Sequence, residues 1–205
     1  MDTDLGAEYP ADFYDGISAG SIASADVVVP LVLAQYDIET VADIGCGRGW
    51  WGAAFAARGC DVTGVDGDWV TDPVIPLVTC DIASQPLPTI GPVDLAVCLE
   101  VAEHVPHDAA DDLVAGLCAL SDRVLWSAAI PGQSGAGHIN CQWPAYWSAL
   151  FARHGYGAVD TLRWRIWDDN LVEPWYRQNI MIYEKGVKAG PPPAVVHPVI
   201  WGWRQ

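Results

Sequence analysis

The stretch Val41-Ala42-Asp43-Ile44-Gly45-Cys46-Gly47-Arg48-Gly49 constrains this chain more than any other, because an apolar strand that breaks into alternate glycines must turn sharply with its backbone open. Glycine is needed where φ is positive and where a ligand approaches the main chain with no Cβ in the way. Trp50 to Arg58 has helical character, so the turn faces a helix N-terminus whose amides lack intrahelical partners. The dinucleotide fingerprint, G-x-G-x-x-G, seats a pyrophosphate at such a helix start. Here the spacing is G-x-G-x-G and Asp43 precedes it, an acid where a pyrophosphate would be repelled. An anionic residue beside the turn favours a ligand carrying an ammonium or a sulfonium.

A second apolar segment, Cys60 to Asp66, ends in an acid about 20 residues further on, where doubly wound folds grip a ribose diol with a carboxylate. Asp66 is the expected ribose ligand. A third segment, Ile75 to Thr79, ends at Cys80-Asp81-Ile82.

The acid followed by G-x-G-x-G resembles the first motif of the class I S-adenosylmethionine-dependent methyltransferases, over roughly Val41 to Tyr183. The resemblance implies that Asp43, Gly45, Cys46, Gly47 and Gly49 frame the methionine end of S-adenosylmethionine, with Asp66 and Gly67 at the ribose. It gives Asp81 the adenine amino group, puts Trp69 or Ile82 against the ring, and adds Leu99 to the cofactor contacts.

The chain has 205 residues, enough for one domain with a full core. The expected division is a lid or helix over 1–36, a Rossmann-like core over 37–185 and a tail over 186–205. Residues up to Ile17 mix Tyr9, Phe13 and Tyr14 with acids, as a lid or docking arm would, and Ser24-Ala25-Asp26 can cap a helix to Tyr36 with Pro30 in or near its first turn. Beyond the glycine turn, strand Val93 to Leu99, helix Asp108 to Leu120, strand Arg123 to Ala128 and helix Pro144 to His154 alternate. This pattern implies an α/β fold with helices on both faces of a mostly parallel sheet. Gly157 to Trp167 and Asn179 to Glu184 follow with only a loop between them, which suits an antiparallel pair at the edge of a doubly wound seven-stranded sheet. The tail, with Pro191-Pro192-Pro193 and Trp201-Gly202-Trp203, is expected to lie along the surface.

The net charge of -16 opposes binding to a phosphate backbone, so nucleic acid is a disfavoured partner. The charge is uneven: residues 1–112 carry 20 acids against 2 bases, and residues 113–205 carry 6 acids against 8 bases. The acidic half is expected to hold the cofactor and the other half the acceptor. The longest apolar run, Val27 to Ala34, is too short to span a bilayer. No secretory leader is evident, and the six cysteines form no C-x-x-C pair and suit reduced thiols, so a cytoplasmic location is expected. Oligomeric state is left open, a homodimer being the one assembly considered.

Strand Val93 to Leu99 runs into Glu100-Val101-Ala102-Glu103-His104. If this forms a helical turn, Glu103 and His104 return to the face of Glu100. Two carboxylates and an imidazole suit a divalent ion such as Mg²⁺, Mn²⁺ or Zn²⁺. The pattern resembles the metal motif of the small-RNA terminal 2′-O-methyltransferases and of the ubiquinone-pathway O-methyltransferases, the former also using a distant histidine. His138, in the glycine-rich loop Pro131 to Asn140 after the neighbouring strand, can reach Glu100, Glu103 and His104. The expected metal set is these four residues, and the expected catalytic groups are Glu103, His104 and His138, since a metal lowers a hydroxyl pKa and histidine accepts a proton near neutral pH. Without a metal, E-x-x-E-H can contact cofactor, substrate or backbone. His107, His154 and His197 are assigned to caps or the surface.

On the acceptor side, Leu162-Arg163-Trp164-Arg165-Ile166-Trp167 alternates as a strand would, with Arg163, Arg165 and Trp167 on one face, either a cationic aromatic wall or a solvated face. Trp175-Tyr176-Arg177-Gln178-Asn179 offers both stacking and hydrogen bonding, so Trp175, Tyr176 and Asn179, with Trp143, are the candidate substrate contacts. Trp147 and Trp167 also fall near loops expected on this side. Ser24 to Leu33, Val65 to Trp69, Ala129 to Gly132 and Trp175 to Asn179 together resemble a little-characterised group of bacterial and phage methyltransferases, some found beside glycosyltransferases. The expectation is an S-adenosylmethionine-dependent O-methyltransferase acting on a small-molecule or glycan hydroxyl, with a divalent metal assisting where E-x-x-E-H binds one. The alternatives are a non-catalytic cofactor-binding or assembly module and a nucleic-acid methyltransferase.

Overall fold

Short apolar strands buried on both sides need helices above and below them, and the chain supplies both. The computed structural model describes residues 11–188 and 190–202, in the order α1 (Ala11–Leu33), β1 (Thr40–Ile44), α2 (Trp50–Ala56), β2 (Asp61–Asp66), β3 (Leu77–Thr79) and β4 (Leu95–Leu99). A 3-10 turn (Ala102–His104), α3 (Ala110–Leu120), β5 (Arg123–Ser127), α4 (Pro144–Arg153) and β6 (Tyr156–Val159) come next. The chain closes with α5 (Leu162–Ile166), α6 (Pro174–Asn179), β7 (Met181–Lys185) and α7 (Pro198–Gly202).

The seven strands form one sheet in the order β3-β2-β1-β4-β5-β7-β6. Strands β1 to β5 are parallel, and β7 runs antiparallel to both β5 and β6. The Rossmann-like reading with an antiparallel pair at one edge therefore holds. Alternate residues of each strand enter separate cores: Ala42, Ile44, Ala96, Cys98 and Trp126 pack with α3 and α4, whereas Val41, Leu95, Val97 and Leu125 pack with α1, α2, α5 and α6. In the first core Phe151 stacks on Tyr183 with ring centroids 3.8 Å apart. Between neighbours β1 and β4 the chain leaves in opposite directions, and a ligand crevice opens at the carboxyl ends there. Among the described residues, no helix is long and apolar enough to cross a membrane.

Four local expectations need correction. Helix α1 begins at Ala11, well before Ser24. Ser24 sits inside it and donates its hydroxyl to the Gly20 carbonyl, a bond that satisfies the side chain without capping, while Pro30 lies near the C-terminal end. Tyr9 and Trp203 lie outside the described residues.

The strand expected over Gly157 to Trp167 stops at Val159, and Leu162 to Ile166 is the helix α5. Leu162, Arg163 and Ile166 face inward, a helical spacing that tertiary burial selects over the alternation in the sequence. The segment expected as a loop before β7 forms α6, with Pro174 preset for its first position. The tail is docked: His197 and Ile200 are buried, and Gln178 donates to the Val195 carbonyl at 2.7 Å. His197 is therefore not on the surface but takes the cap role instead, its Nδ1 accepting the Val199 amide at 3.2 Å at the start of α7, whereas His107 and His154 are exposed.

Candidate active site

The glycine turn is held by its packing. Gly45 and Gly49 have φ of 70° and 89°, and a Cβ would meet Val101 at 2.5 Å and Ile75 at 2.4 Å respectively. Conformation and space both require glycine there. The turn is tied to β2 through Asp66, which accepts the Gly47 amide on one oxygen and the Gly67 amide on the other, each at 2.7 Å. The Trp69 side chain is a third donor to this carboxylate, which leaves it one acceptor site for a further donor. Burial raises the Asp66 pKa, and these two amides oppose the rise.

Asp43 has a structural task as well as a place at the cavity. Its Oδ2 accepts the Gly52 amide at 2.9 Å, satisfying a donor in the first turn of α2. Burial, reinforced by Asp66, pushes its pKa up to about 7.

The turn opens on a cavity of about 350 Å³, a volume suited to a small-molecule ligand. Asp43, Gly45, Cys46, Gly47 and Asp66 line one part of it. Trp69, Asp81, Ile82 and Leu99 line it further along. Gly49 and Gly67 are not in the lining; Gly49 lies against Ile75 and Gly67 beneath the Trp69 ring. Asp81 also organises its own turn by accepting the Ala83 amide at 3.1 Å.

Across the cavity, Glu103, His104 and His138 place one ligand atom each within 4.8 Å of one another. The loop carrying His138 is fastened to the 3-10 turn: the amides of Ile139 and Asn140 both donate to the Glu103 carbonyl at 2.9 Å. Nδ1 of His104 lies 3.2 Å from the Gly137 carbonyl, and Nδ1 of His138 lies 3.2 Å from the Gln133 carbonyl. A carbonyl can only accept, so each Nδ1 carries the proton and each Nε2 carries a lone pair. Burial lowers both imidazole pKa values, that of His104 to about 4 with help from His138, so both rings are neutral near pH 7.

Glu103 has no exposure, and neither carboxylate oxygen has a hydrogen-bond partner. Its Oε1 stands 4.0 Å from His138 Nε2. Burial, followed by the charge of Glu100, raises its pKa well above the carboxylate range. A buried carboxylate without donors is costly unless it is protonated or bound to a cation. With two imidazole nitrogens beside it, the donor set suits a divalent ion, and the Nδ1 bonds to carbonyls are the outer contacts that orient histidine ligands.

Glu100 stands outside that trio, contrary to the helical-turn expectation. The regular turn begins only at Ala102, and Glu100 itself has φ of 53°, so the i to i+3 relation on which the expectation rested is absent. Its oxygens are engaged by Gln133 at 2.9 Å and Asn179 at 3.0 Å.

Of the acceptor candidates, Trp175 and Tyr176 line the cavity; Trp143 does not, and Asn179 sits behind Glu100. Trp147 is a core residue, and Trp167 packs against His197 with centroids 4.7 Å apart. Arg163, expected on an exposed wall, is fully buried against Asp160 and the Pro193 carbonyl. Sequence reasoning missed Ser21, Trp50, Trp51 and Gln133 in the lining. Paired tryptophans directly after the glycine turn were an available signal; nothing local marks Ser21.

Residues 25–121 match a family model described as a methyltransferase domain. A segment of 84 residues is 34% identical to the ubiquinone biosynthesis O-methyltransferase of Pseudomonas paraeruginosa (strain DSM 24068 / PA7), and this match spans 35% of this chain and 35% of that relative. Magnesium protoporphyrin IX methyltransferase from Synechocystis PCC 6803, solved with bound SAM, shares the fold with a TM-score of 0.60 at 20% identity, over 88% of this chain and 89% of that one. The 1,6-didemethyltoxoflavin-N1-methyltransferase of Burkholderia thailandensis, solved with S-adenosylhomocysteine, gives 0.62 at 19% identity over 89% and 88%. Residues 25–121 thus match a methyltransferase domain, and the seven-stranded topology with its glycine turn is the fold shared with these S-adenosylmethionine-dependent methyltransferases.

Proposed function

We propose that this chain methylates a hydroxyl oxygen of a small-molecule or sugar acceptor, using Glu103, His104 and His138 as the catalytic group and as the ligand set for a divalent cation. The observation that carries this reading is Glu103, buried with both oxygens unpartnered beside two imidazoles whose Nδ1 atoms are committed to carbonyls.

S-adenosylmethionine would supply an electrophilic methyl on its sulfonium, and a divalent cation would lower the pKa of the acceptor hydroxyl. Asp66 would hold the ribose with the acceptor site that its two amides and Trp69 leave over, and Asp81 with Ile82 would receive the adenine. Trp50, Trp51, Trp175 and Tyr176 form an aromatic lining that keeps water from the reacting groups and stacks on a ring or sugar face. Without a cation, His138 Nε2, with 14% side-chain exposure against none for Glu103, would accept the hydroxyl proton; when that lone pair ligates a cation, the hydroxyl pKa would be lowered and solvent would take the proton. The neutral state of His138 near pH 7 suits a base.

The test is mass spectrometry of S-adenosylhomocysteine and methylated product with a panel of phenols, sugars and nucleotide sugars, run before and after chelation and with Mn²⁺ or Zn²⁺ restored. His138→Ala should cut turnover by about 10²-fold or more while calorimetry shows S-adenosylmethionine affinity within about threefold, below 1 kcal/mol. Wild-type turnover in that variant, or methylation confined to amines, overturns the reading.

A further inference from the structure

We propose that Glu100 is a positioning residue, which locks the loop carrying His138 and the α6 wall together through a closed triangle with Gln133 and Asn179. Its consequence for catalysis rests on the role given to His138 above; the triangle itself does not.

The backbone at Glu100 is in the left-handed region, at φ 53°, which residues with a Cβ rarely occupy unless their surroundings hold them there. Its amide is anchored to β5 by the Ser127 carbonyl at 2.9 Å and the Ser127 hydroxyl at 3.0 Å. The carboxylate then receives one donor on each oxygen: Gln133 Nε2 on Oε2 at 2.9 Å and Asn179 Nδ2 on Oε1 at 3.0 Å. Asn179 Nδ2 also donates to Gln133 Oε1 at 3.1 Å, so every edge of the triangle carries a hydrogen bond. Turning the Asn179 amide over would face its oxygen to the carboxylate.

Gln133 and Asn179 are 7% and 3% exposed, so little water is at hand to replace a lost partner. The three corners come from segments 33 and 79 residues from Glu100. The Gln133 carbonyl holds Nδ1 of His138, and α6 carries Trp175 and Tyr176 into the cavity. The position of one carboxylate therefore sets both the base and the aromatic wall.

Hydrogen exchange of segments 131–140 and 174–180, with calorimetry of S-adenosylmethionine, tests this without an acceptor. Glu100→Gln sets a donor against a donor, and exchange in both segments should rise about tenfold or more, with cofactor affinity within about threefold. The double variant Glu100→Gln, Gln133→Glu keeps one carboxylate and two carboxamides with these two corners exchanged: the carboxamide at 100 donates to the carboxylate at 133, Asn179 Nδ2 still donates to both, and both segments should return to near wild-type protection. Gln133→Ala should loosen 131–140 more than 174–180. Binding of Mn²⁺ alone should survive in the double variant, because Glu100 is not a ligand in this assignment.

Unchanged exchange in Glu100→Gln, or a double variant as loose as the single one, overturns the proposal. Loss of Mn²⁺ binding with protection restored overturns it too, by making Glu100 a ligand. If Glu100→Gln alone fails to fold, native exchange in the double variant supports the triangle and its failure refutes it. None of these readings depends on whether His138→Ala slows turnover.

Discussion

The two sides of the cavity are built differently. On the cofactor side, carboxylates are held by backbone amides close in sequence: Asp43 by Gly52, nine residues on, and Asp66 by Gly47 and Gly67, 19 residues and one residue away. On the opposite side, side chains bond to side chains across 33 to 79 residues, as with Glu100, Gln133 and Asn179, and in the scaffold beyond the lining Arg163 bonds to the distant Pro193 carbonyl. Amide donors are fixed once the turn forms, whereas a side-chain network exists only after several elements have docked. The first side should tolerate damage elsewhere in the domain, and the second should not.

The hardest blow to that contrast is Arg163→Ala. Arg163 is fully buried, donates to Asp160 and reaches the carbonyls of Gln178 and Pro193, so its loss should cost about 3–5 kcal/mol in urea unfolding. A cost below about 1 kcal/mol, the range of a surface ion pair, would show that the scaffold beyond the lining is not held in this way.

Next comes Asp66→Ala, which removes the carboxylate that joins the glycine turn to β2. Calorimetry should show S-adenosylmethionine binding weakened by about 10²–10³-fold, with hydrogen-exchange protection of α4 and β7 unchanged. Unaltered affinity removes Asp66 from the cofactor site.

Asp43→Asn sharpens the comparison through pH. In the folded chain Asp43 titrates at about 7 against an ordinary 3.8, mainly because it is buried and further because of Asp66. As pH rises the unfolded chain loses this proton first, so the stability the group contributes is complete below about 4 and is lost as the pH climbs through 7. Asparagine keeps an oxygen for the Gly52 amide and does not titrate. Urea unfolding of the cofactor-free protein should show the wild type losing on the order of 4 kcal/mol more than the variant between pH 4 and pH 8. Parallel pH profiles would refute a buried, proton-retaining Asp43.

The smallest effect is expected from Trp175→Ala. It trims an aromatic lining residue without touching the trio, and should raise the acceptor KM about tenfold with kcat within about twofold. A large fall in kcat at constant KM would move Trp175 into the chemistry.

Which parts were legible follows from the same division. The strands, the glycine turn and Asp66 could be read because their signals are local: apolar runs, glycine at positive φ and an acid at a strand end. Leu162 to Trp167 misled because its alternation fits a strand, while Arg163 finds its partners on Asp160, Gln178 and the tail. Glu100 misled because motif spacing assumes a regular helical turn, and a left-handed residue at the strand end breaks that assumption. Gln133 had no local mark; its importance lies in a neighbour 33 residues earlier.

The sequence by itself determined the open turn and the strand-end carboxylate beside it, since both act through backbone geometry that a few consecutive residues define. Only the tertiary structure decided which side chains line the cavity opposite the glycine turn. It brought His138 to Glu103 and His104, withdrew Glu100 into a triangle with Gln133 and Asn179, and buried Arg163 under the tail. Those outcomes depend on which distant donors and acceptors are left to satisfy one another once water is excluded, and no spacing along the chain encodes that.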